Sequence, residues 1–570
     1  MNRIRNRFRI FESVFDLIIL GVSERNAIFI NSFSFAMFLA KKKLFIPLLL
    51  SAFLLTICCK KETSISSATS RKSSPNKTAY YQEAYRPQFH FSPEAHWMND
   101  PNGLVYYKGT YHLFYQYYPA DIVWGPMHWG HATSADLMHW THQKIALFPD
   151  KLGYIFSGSV VVDEQNSSGL GTAEHPAMVA IFTYHNMELE KAGKINTQSQ
   201  GLAYSLDEGK TWKKYAQNPI IANPGVKDFR DPKVVWNAKT QRWQLTLVAG
   251  DHAEFYESKN LIQWTKTGTF GQGYGAHGGV WECPDLFKMR VEGSAAEKWV
   301  LLISVNPGAP KGGSGTQYFV GDFDGKTFTT TQKVAKWLDQ GMDNYAGVTY
   351  VNAPNDQRIF IGWMSNWLYG TKTPTQKWRS AMTLPRNLKL KRKENDYLLT
   401  SQVVPQINNQ LIPSQVYKNL TINWKNPFQL HYTSGFNGLN QAKISFQAQA
   451  ADFRVVLENN QKEKLELAFV AKTQTWIIDR SHAGLTQFDP NFAAAPQQTQ
   501  LNIEPHKPIE VELYLDWSSL ELFLNQGDYC FTNQLFPTHP FTTLTITGEN
   551  QEIRNFTIQA IQGCWANAKK

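Results

Sequence analysis

Ser134-Ala135-Asp136-Leu137-Met138-His139-Trp140 reads as a tight turn: a hydroxyl, an Asx residue two positions on, then an aromatic. An Asp in this place bonds its own following backbone, and the aromatic anchors the strand that leaves the turn. The pattern returns as Ser205-Leu206-Asp207-Glu208-Gly209-Lys210-Thr211-Trp212 and as Ser258-Lys259-Asn260-Leu261-Ile262-Gln263-Trp264. A reduced copy is Gly321-Asp322-Phe323-Asp324-Gly325-Lys326-Thr327-Phe328. The central Asp/Asn positions are 136, 207, 260 and 324, at intervals of 71, 53 and 64 residues. Between the copies, short β-type runs such as Thr110-Tyr111-His112-Leu113-Phe114-Tyr115-Gln116-Tyr117 alternate with Gly/Asn/Asp turns, and long 3.6-period stretches are missing. A repeat of this size in a β-rich chain predicts propeller blades, and roughly 320 residues at this spacing hold about five of them.

The repeat region spans 85–400. A Gln/Asn/Pro/Ser-rich connector over 401–416 follows, and then a second β region over 417–570. Alternation in Arg454-Val455-Val456-Leu457-Glu458, in Lys464-Leu465-Glu466-Leu467-Ala468-Phe469-Val470 and in Glu510-Val511-Glu512-Leu513-Tyr514-Leu515-Asp516 predicts an antiparallel β-sandwich. The expected fold is therefore all-β: a five-bladed propeller followed by a sandwich.

Composition agrees. The 570 residues are 42% hydrophobic, 18% charged and 14% aromatic, which excludes a disordered or collagen-like chain. The net charge of +10 is not a nucleic-acid footprint. Residues 1–77 hold 13 Lys+Arg against 4 Asp+Glu, and the remainder is balanced at 44 against 43. Cys283, Cys530 and Cys564 are too few and too widely spaced for a disulfide framework or a metal knuckle.

Residues 1–59 read as an export signal. Lys41-Lys42-Lys43 precedes an apolar run from Leu44 to Cys59, which at 16 residues is shorter than the roughly 20 a spanning helix needs. Its end, Leu55-Thr56-Ile57-Cys58-Cys59, resembles a bacterial lipoprotein signal, which implies lipidation of Cys58 or Cys59 and attachment at the cell envelope. Met37 is the expected start of translation, and residues 60–84 are expected to be a flexible Ser/Thr/Lys-rich tether.

Three carboxylates stand in unusual settings. Asp100, in Trp97-Met98-Asn99-Asp100-Pro101-Asn102-Gly103, precedes a proline that biases it toward an extended conformation, and the next residues turn the chain. Asp231, in Phe229-Arg230-Asp231-Pro232, has an Arg neighbour expected to keep it ionised. Glu282, in Trp281-Glu282-Cys283-Pro284-Asp285, lies among apolar neighbours, a setting that keeps a carboxyl protonated and suits a proton donor. Each alone also reads as a turn or surface residue.

Together and in this order, the three motifs resemble glycoside hydrolase family 32, the levanase, inulinase and invertase group. Supporting segments are Phe114-Tyr115-Gln116, Trp124-Gly125-Pro126-Met127-His128-Trp129, Phe156-Ser157-Gly158-Ser159, Gly362-Trp363-Met364-Ser365-Asn366-Trp367, Trp378-Arg379-Ser380 and Leu515-Asp516-Trp517-Ser518-Ser519-Leu520-Glu521. The resemblance runs from about Tyr85 to Gln562. It implies a retaining fructofuranoside hydrolase with Asp100 as nucleophile, Glu282 as general acid/base and Asp231 as transition-state stabiliser, and a role for Cys283 in tuning Glu282. It also implies substrate contacts from Asn99, Gln116, Ser157 and Arg230 and an apolar wall from Trp124 and Phe156. The chemistry calls on no metal or cofactor. Gly312-Gly313-Ser314-Gly315 lacks the Lys-Ser/Thr of a phosphate loop.

An exo-acting levanase or inulinase is the expected activity. A sucrose-preferring invertase and an endo-acting levanase remain open. A non-catalytic, surface-anchored fructan-binding protein would keep the aromatics and lose one carboxylate. The turns are also similar to those of sialidases, but Arg230, Arg379 and Arg386 are not patterned as a sialate-binding cluster.

Overall fold

The structure, a computed structural model, describes residues 81–412, 415–433, 437–504 and 507–565. Met37, Cys58, Cys59 and the tether as far as residue 80 lie outside the described residues. At Tyr81, inside the expected tether, the chain is already packed: its ring stacks on Trp565 at 4.0 Å and is buried.

Five sheets, antiparallel along their main run, follow one another along the chain, opened by the strands His96–Tyr107, Tyr154–Asp163, Phe229–Asn237, Val280–Arg290 and Tyr345–Thr349; the opening strand is the edge of its sheet in all but the first, where Trp378–Arg379 pairs outside it. We call these sheets blades I to V. All four copies of the turn motif join the third and fourth strands of a blade, in blades I to IV. The hydrogen bonds are those the residue types demand. In the first copy, Ser134 Oγ accepts from the Leu137 amide at 2.8 Å and Asp136 Oδ1 from the His139 amide at 2.8 Å. In the third, Asn260 Oδ1 accepts from the Gln263 amide at 2.9 Å and the Trp264 indole donates to Leu261 O at 2.9 Å. Blade V lacks the motif because Lys393 pairs directly with Asp396, so only Glu394 and Asn395 form the turn, with Glu394 at φ 51°.

Closure of the ring depends on a short segment late in the chain. Trp378–Arg379 pairs in parallel with His96 and Trp97 of blade I, while Ala381–Met382 pairs with Trp363 and Met364 of blade V. Ser380, at φ 83°, turns the chain between them. Val351 of blade V also exchanges backbone hydrogen bonds with blade I, donating to Leu104 O at 2.9 Å and accepting from the Tyr106 amide at 3.0 Å.

The stretch 401–416 is not a free connector. Blade V's last strand runs on to Val403, Pro405–Gln410 is a 3-10 helix, and Leu411–Ile412 pairs with Gln551–Ile561 of the second domain. Polar composition suggested a linker, but Ile407 and Gln410 are buried in packing that composition alone does not reveal. The second domain is a sandwich of a seven-stranded and a six-stranded sheet. Alternation is regular in Lys464–Val470, where Leu465, Leu467 and Phe469 point into the core. It breaks at the end of Ile509–Asp516, where Tyr514 and Asp516 are also buried, because this face of the sheet meets the propeller and the residues before it. There Asp516 accepts from the Gln88 and Phe89 amides, and the His90 ring lies between Asp516 Oδ2 and Glu521 Oε1, 2.8 Å from each.

Candidate active site

The opening strand of each blade carries one side chain of a single polar cluster near its start: Asp100, Ser157, Asp231, Glu282 and Tyr345 in blades I to V. Each of these strands loses register at that point, between Met98 and Pro101, Ile155 and Gly158, Arg230 and Lys233, Glu282 and Asp285, and Tyr345 and Val348. A bulge re-aims a side chain that strict alternation directs elsewhere. Asp231, Cys283 and Ala346 have φ values of 63°, 45° and 54°. Left-handed backbone at non-glycine residues costs about 1–3 kcal/mol each and persists where the surrounding packing imposes it.

Asp100 is the most heavily partnered carboxylate. Ser157 Oγ donates to its Oδ2 at 2.6 Å and Asn99 Nδ2 to its Oδ1 at 3.0 Å. The Trp97 indole holds Asn99 in place, donating to its Oδ1 at 2.8 Å. Cys283 joins the acids: its thiol lies 3.5 Å from Asp100 Oδ2 and 3.7 Å from Asp231 Oδ2, and its amide donates to Asp231 Oδ2 at 3.0 Å. The Asp231 amide in turn donates to Thr183 Oγ1 at 2.9 Å. Glu282 receives Arg230 Nη2 on Oε1 at 2.8 Å and the Tyr345 hydroxyl on Oε2, and Arg230 Nη1 is tied to Asp228 at 2.8 Å.

Crowding three carboxylates out of water governs their charge. Burial raises the Asp100 carboxyl above its ordinary range and the charge of Glu282 adds to this, while the bonds from Ser157, Asn99 and Cys283 pull the other way. Asp231 is pushed up to about 7 by burial and by the charges of Glu282 and Asp100, despite Arg230. The expectation that Arg230 keeps Asp231 ionised therefore fails. The guanidinium gives its 2.8 Å contacts to Asp228 and Glu282 and leaves Asp231 at 3.7 Å. Burial also raises the Cys283 thiol, with Asp100 and Asp231 adding to the effect, so it is a neutral donor here. Groups this close titrate as a set, with protons shared among them.

One further expectation changes. The apolar sequence neighbours of Glu282 do not enclose its carboxyl: Trp281 is buried in the core against Phe319, and the carboxyl's partners are Arg230 and Tyr345. Neighbours along a strand point to opposite faces, so sequence adjacency misplaces the environment. At the bulge Cys283 also turns into the cluster, where its thiol lies against Asp100 and Asp231 and feels the charge of Glu282.

Of the expected binding residues, Asn99, Ser157 and Arg230 touch the acids directly. Gln116 is one step removed: the Asn102 amide, with its oxygen 3.0 Å from Gln116 Nε2, places its nitrogen 3.2 Å from Ser157 Oγ. Trp124 and Phe156 are half-buried and meet edge to face at 6.1 Å, and Phe156 stacks on His185 at 4.3 Å. They form an aromatic surface next to Ser157 without bonding a carboxylate. Sequence reasoning missed Tyr345, Thr183 and Asp228. The available signal for Tyr345 was positional, because it opens the first strand of the fifth blade as the acids open theirs. Among the described residues, no group of three or more His, Cys, Asp or Glu side chains could hold a metal ion.

Comparison with known proteins identifies the family of both domains. The model of the glycosyl hydrolases family 32 N-terminal domain matches residues 90–401, and that of the family's C-terminal domain matches 408–560. The levanase of Bacillus subtilis is 43% identical over 500 residues, which is 86% of this chain and 72% of that protein. An extracellular exo-inulinase of Aspergillus niger is 38% identical over 525 residues, covering 85% and 96% of the two chains. The crystal structure of exo-inulinase from Aspergillus awamori aligns with a TM-score of 0.77 at 34% identity, over 85% of this chain and 100% of that one. The match spans both domains and the whole polar cluster, and the chain belongs to glycosyl hydrolase family 32.

Proposed function

We propose that the protein is a retaining, exo-acting fructan β-fructosidase in which Asp100 is the nucleophile, Glu282 the general acid/base and Asp231 the stabiliser of the charged ring. The observation that carries this reading is the joining of Asp100 and Asp231 by Cys283, the residue next to Glu282. As the C2–oxygen bond of a terminal fructosyl unit breaks, Glu282 gives its proton to the departing oxygen and Asp100 closes an ester with C2. Glu282, now a carboxylate, takes a proton from water as the water attacks C2. The ester bond breaks, Asp100 leaves as carboxylate, and fructose departs with its original configuration. The donors on Asp100 from Ser157, Asn99 and Cys283 hold it in position and moderate its charge before attack. Asp231 bonds ring hydroxyls whose interaction strengthens as positive charge develops.

The Trp124–Phe156 edge and the half-buried Trp367, which packs on the fully buried Trp97 and Trp363, supply apolar surface for the sugar faces. Asp100→Asn and Glu282→Gln are expected to lose hydrolysis while keeping the β circular dichroism of the wild type. Unchanged turnover in either variant removes the assignment. Incubation with levan, inulin and sucrose separates the modes: fructose alone from polymer means exo action, and released oligosaccharides mean endo action. A sucrose-preferring enzyme is the second reading, favoured by the invertase of Schizosaccharomyces pombe, 34% identical over 493 residues.

We also infer that the protein is exported and held at the cell envelope by lipid on Cys58 or Cys59, from the reading of residues 41–61. Labelling with a fatty-acid analogue, abolished in the double Cys→Ser variant, tests this. Activity found wholly in the medium argues against it.

A further inference from the structure

We propose that the sandwich domain positions the catalytic acid, through a strap of the propeller, Asp339–Asn344, that ends at Tyr345. This rests on the assignment of Glu282 as general acid/base. The strap lies along Tyr529–Gln534, which forms one edge of the sandwich's seven-stranded sheet. It satisfies that edge as a neighbouring strand does. The Gln340 amide donates to Cys530 O at 2.7 Å and the Asp343 amide to Thr532 O at 3.0 Å. In return, the Thr532 amide donates to Asp339 Oδ1 and the Gln534 amide to Asp343 Oδ2, both at 2.8 Å. Gly341 permits the approach: a Cβ there stands 2.2 Å from Thr532 O.

Both strap carboxylates are then clamped. Asp343 Oδ2 takes Arg480 Nη1 at 2.6 Å and its Oδ1 takes the Tyr369 hydroxyl at 2.6 Å, with all three side chains fully buried. Asp339 Oδ2 takes Arg386 Nη1 at 2.8 Å and Thr532 Oγ1 at 2.6 Å. Two residues beyond Asp343, Tyr345 places its hydroxyl on Glu282 Oε2. Burial, reinforced by the Glu282 charge, keeps that hydroxyl protonated far above its ordinary range, so it donates. Arg480 and Thr532 belong to the sandwich and touch neither substrate nor acid. They act on Glu282 through the strap and are positioning residues. The sandwich thus serves the reaction as well as stability, by fixing one of the two donors that orient the acid, the other being Arg230 of blade III.

The test uses a readout that general weakening of the fold does not move. Sucrose needs a proton on its leaving oxygen, whereas β-fructosyl fluoride releases fluoride with little need of one, so the ratio of their kcat/KM values reports the acid. Arg480→Gln is expected to lower that ratio about tenfold, the scale of one hydrogen bond to a charged group. Gly341→Ala, which lifts the strap by contact alone, is expected to shift it in the same direction, and it replaces Arg480→Gln should that chain not fold. Tyr345→Phe is expected to give the same shift, and adding Arg480→Gln to it to give no more. Equal losses on both substrates, an unchanged ratio in Tyr345→Phe, or additive effects in the double variant overturn the proposal. Glu282→Gln serves as the control. If it fails to discriminate the two substrates, the assignment of Glu282 is at fault, whereas discrimination in Glu282→Gln without any in Arg480→Gln condemns the strap alone.

Discussion

His90 makes the union of the two domains sensitive to alkaline pH. Its ring is fully buried, with Nδ1 on Asp516 Oδ2 and Nε2 on Glu521 Oε1. Arg386 also bonds Glu521, and Asp339 faces Arg386, so two sandwich carboxylates are shared between two propeller-side cations. Burial opposes the imidazolium, but the bonds and charges of Asp516 and Glu521 outweigh it and lift the ring from 6.5 to about 9. A folded-state value above the unfolded one contributes stability that is complete below about 6.5 and vanishes as pH climbs through about 9. At about 1.4 kcal/mol per unit, the whole effect is about 3 kcal/mol, and about 2 kcal/mol of it disappears between pH 7 and 8.5. The His90 ring dominates that window; His112, His131 and His142, lowered by burial, give a smaller slope of the opposite sign as their unfolded forms finish titrating. Asp231, raised to about 7, loses its contribution of the same sign at lower pH, and the buried thiols of Cys530 and Cys564 begin to act only as unfolded cysteines ionise near 8.5. Urea unfolding across the window, followed by tryptophan fluorescence, is expected to show this loss, and His90→Gln to show a lower but nearly level stability. A wild type that does not lose stability from pH 7 to 8.5, or a fall of the same size that survives in His90→Gln, refutes the reasoning.

Ser157→Ala removes the 2.6 Å donor from Asp100, and kcat/KM on sucrose is expected to fall by about 10- to 100-fold, the range for a hydrogen bond to a charged partner, with little change in melting temperature. Cys283 is buried with its thiol raised well above the ordinary value, so iodoacetamide at pH 7.5 is expected to leave it unmodified in the folded enzyme and to alkylate it after denaturation, as peptide mass spectrometry can show. Gly103 sits at φ 53°, where an added Cβ stands 2.7 Å from the Phe114 ring and 2.8 Å from Val160. Gly103→Ala is therefore expected to destabilise the propeller by about 1–3 kcal/mol, measured by denaturant midpoint.

Much of this protein is legible along the chain because its signals are local. The Ser-x-Asx turns close through bonds spanning two to four residues, so their residue types announce them wherever they occur, and four copies marked four of five blades. Asp100, Asp231 and Glu282 were visible because each sits beside a proline or a short motif that shapes its own backbone. What the acids touch is another matter. Arg230 looked like a partner for Asp231 and turned to Glu282, and Cys283 looked like a neighbour of Glu282 and turned to Asp100 and Asp231, because pleat and bulge decide which way adjacent side chains face. Tyr345 on Glu282, the Asp343–Arg480 clamp and the closure of the ring by Trp378–Arg379 on His96–Trp97 join residues from about 60 to about 280 positions apart. No local pattern encodes such pairs. An all-β repeat carrying three acids is written into the chain, because turn chemistry and strand period act over a few residues. Which charges meet is settled by folding, because burial and proximity arise when the five blades close and the sandwich docks against them.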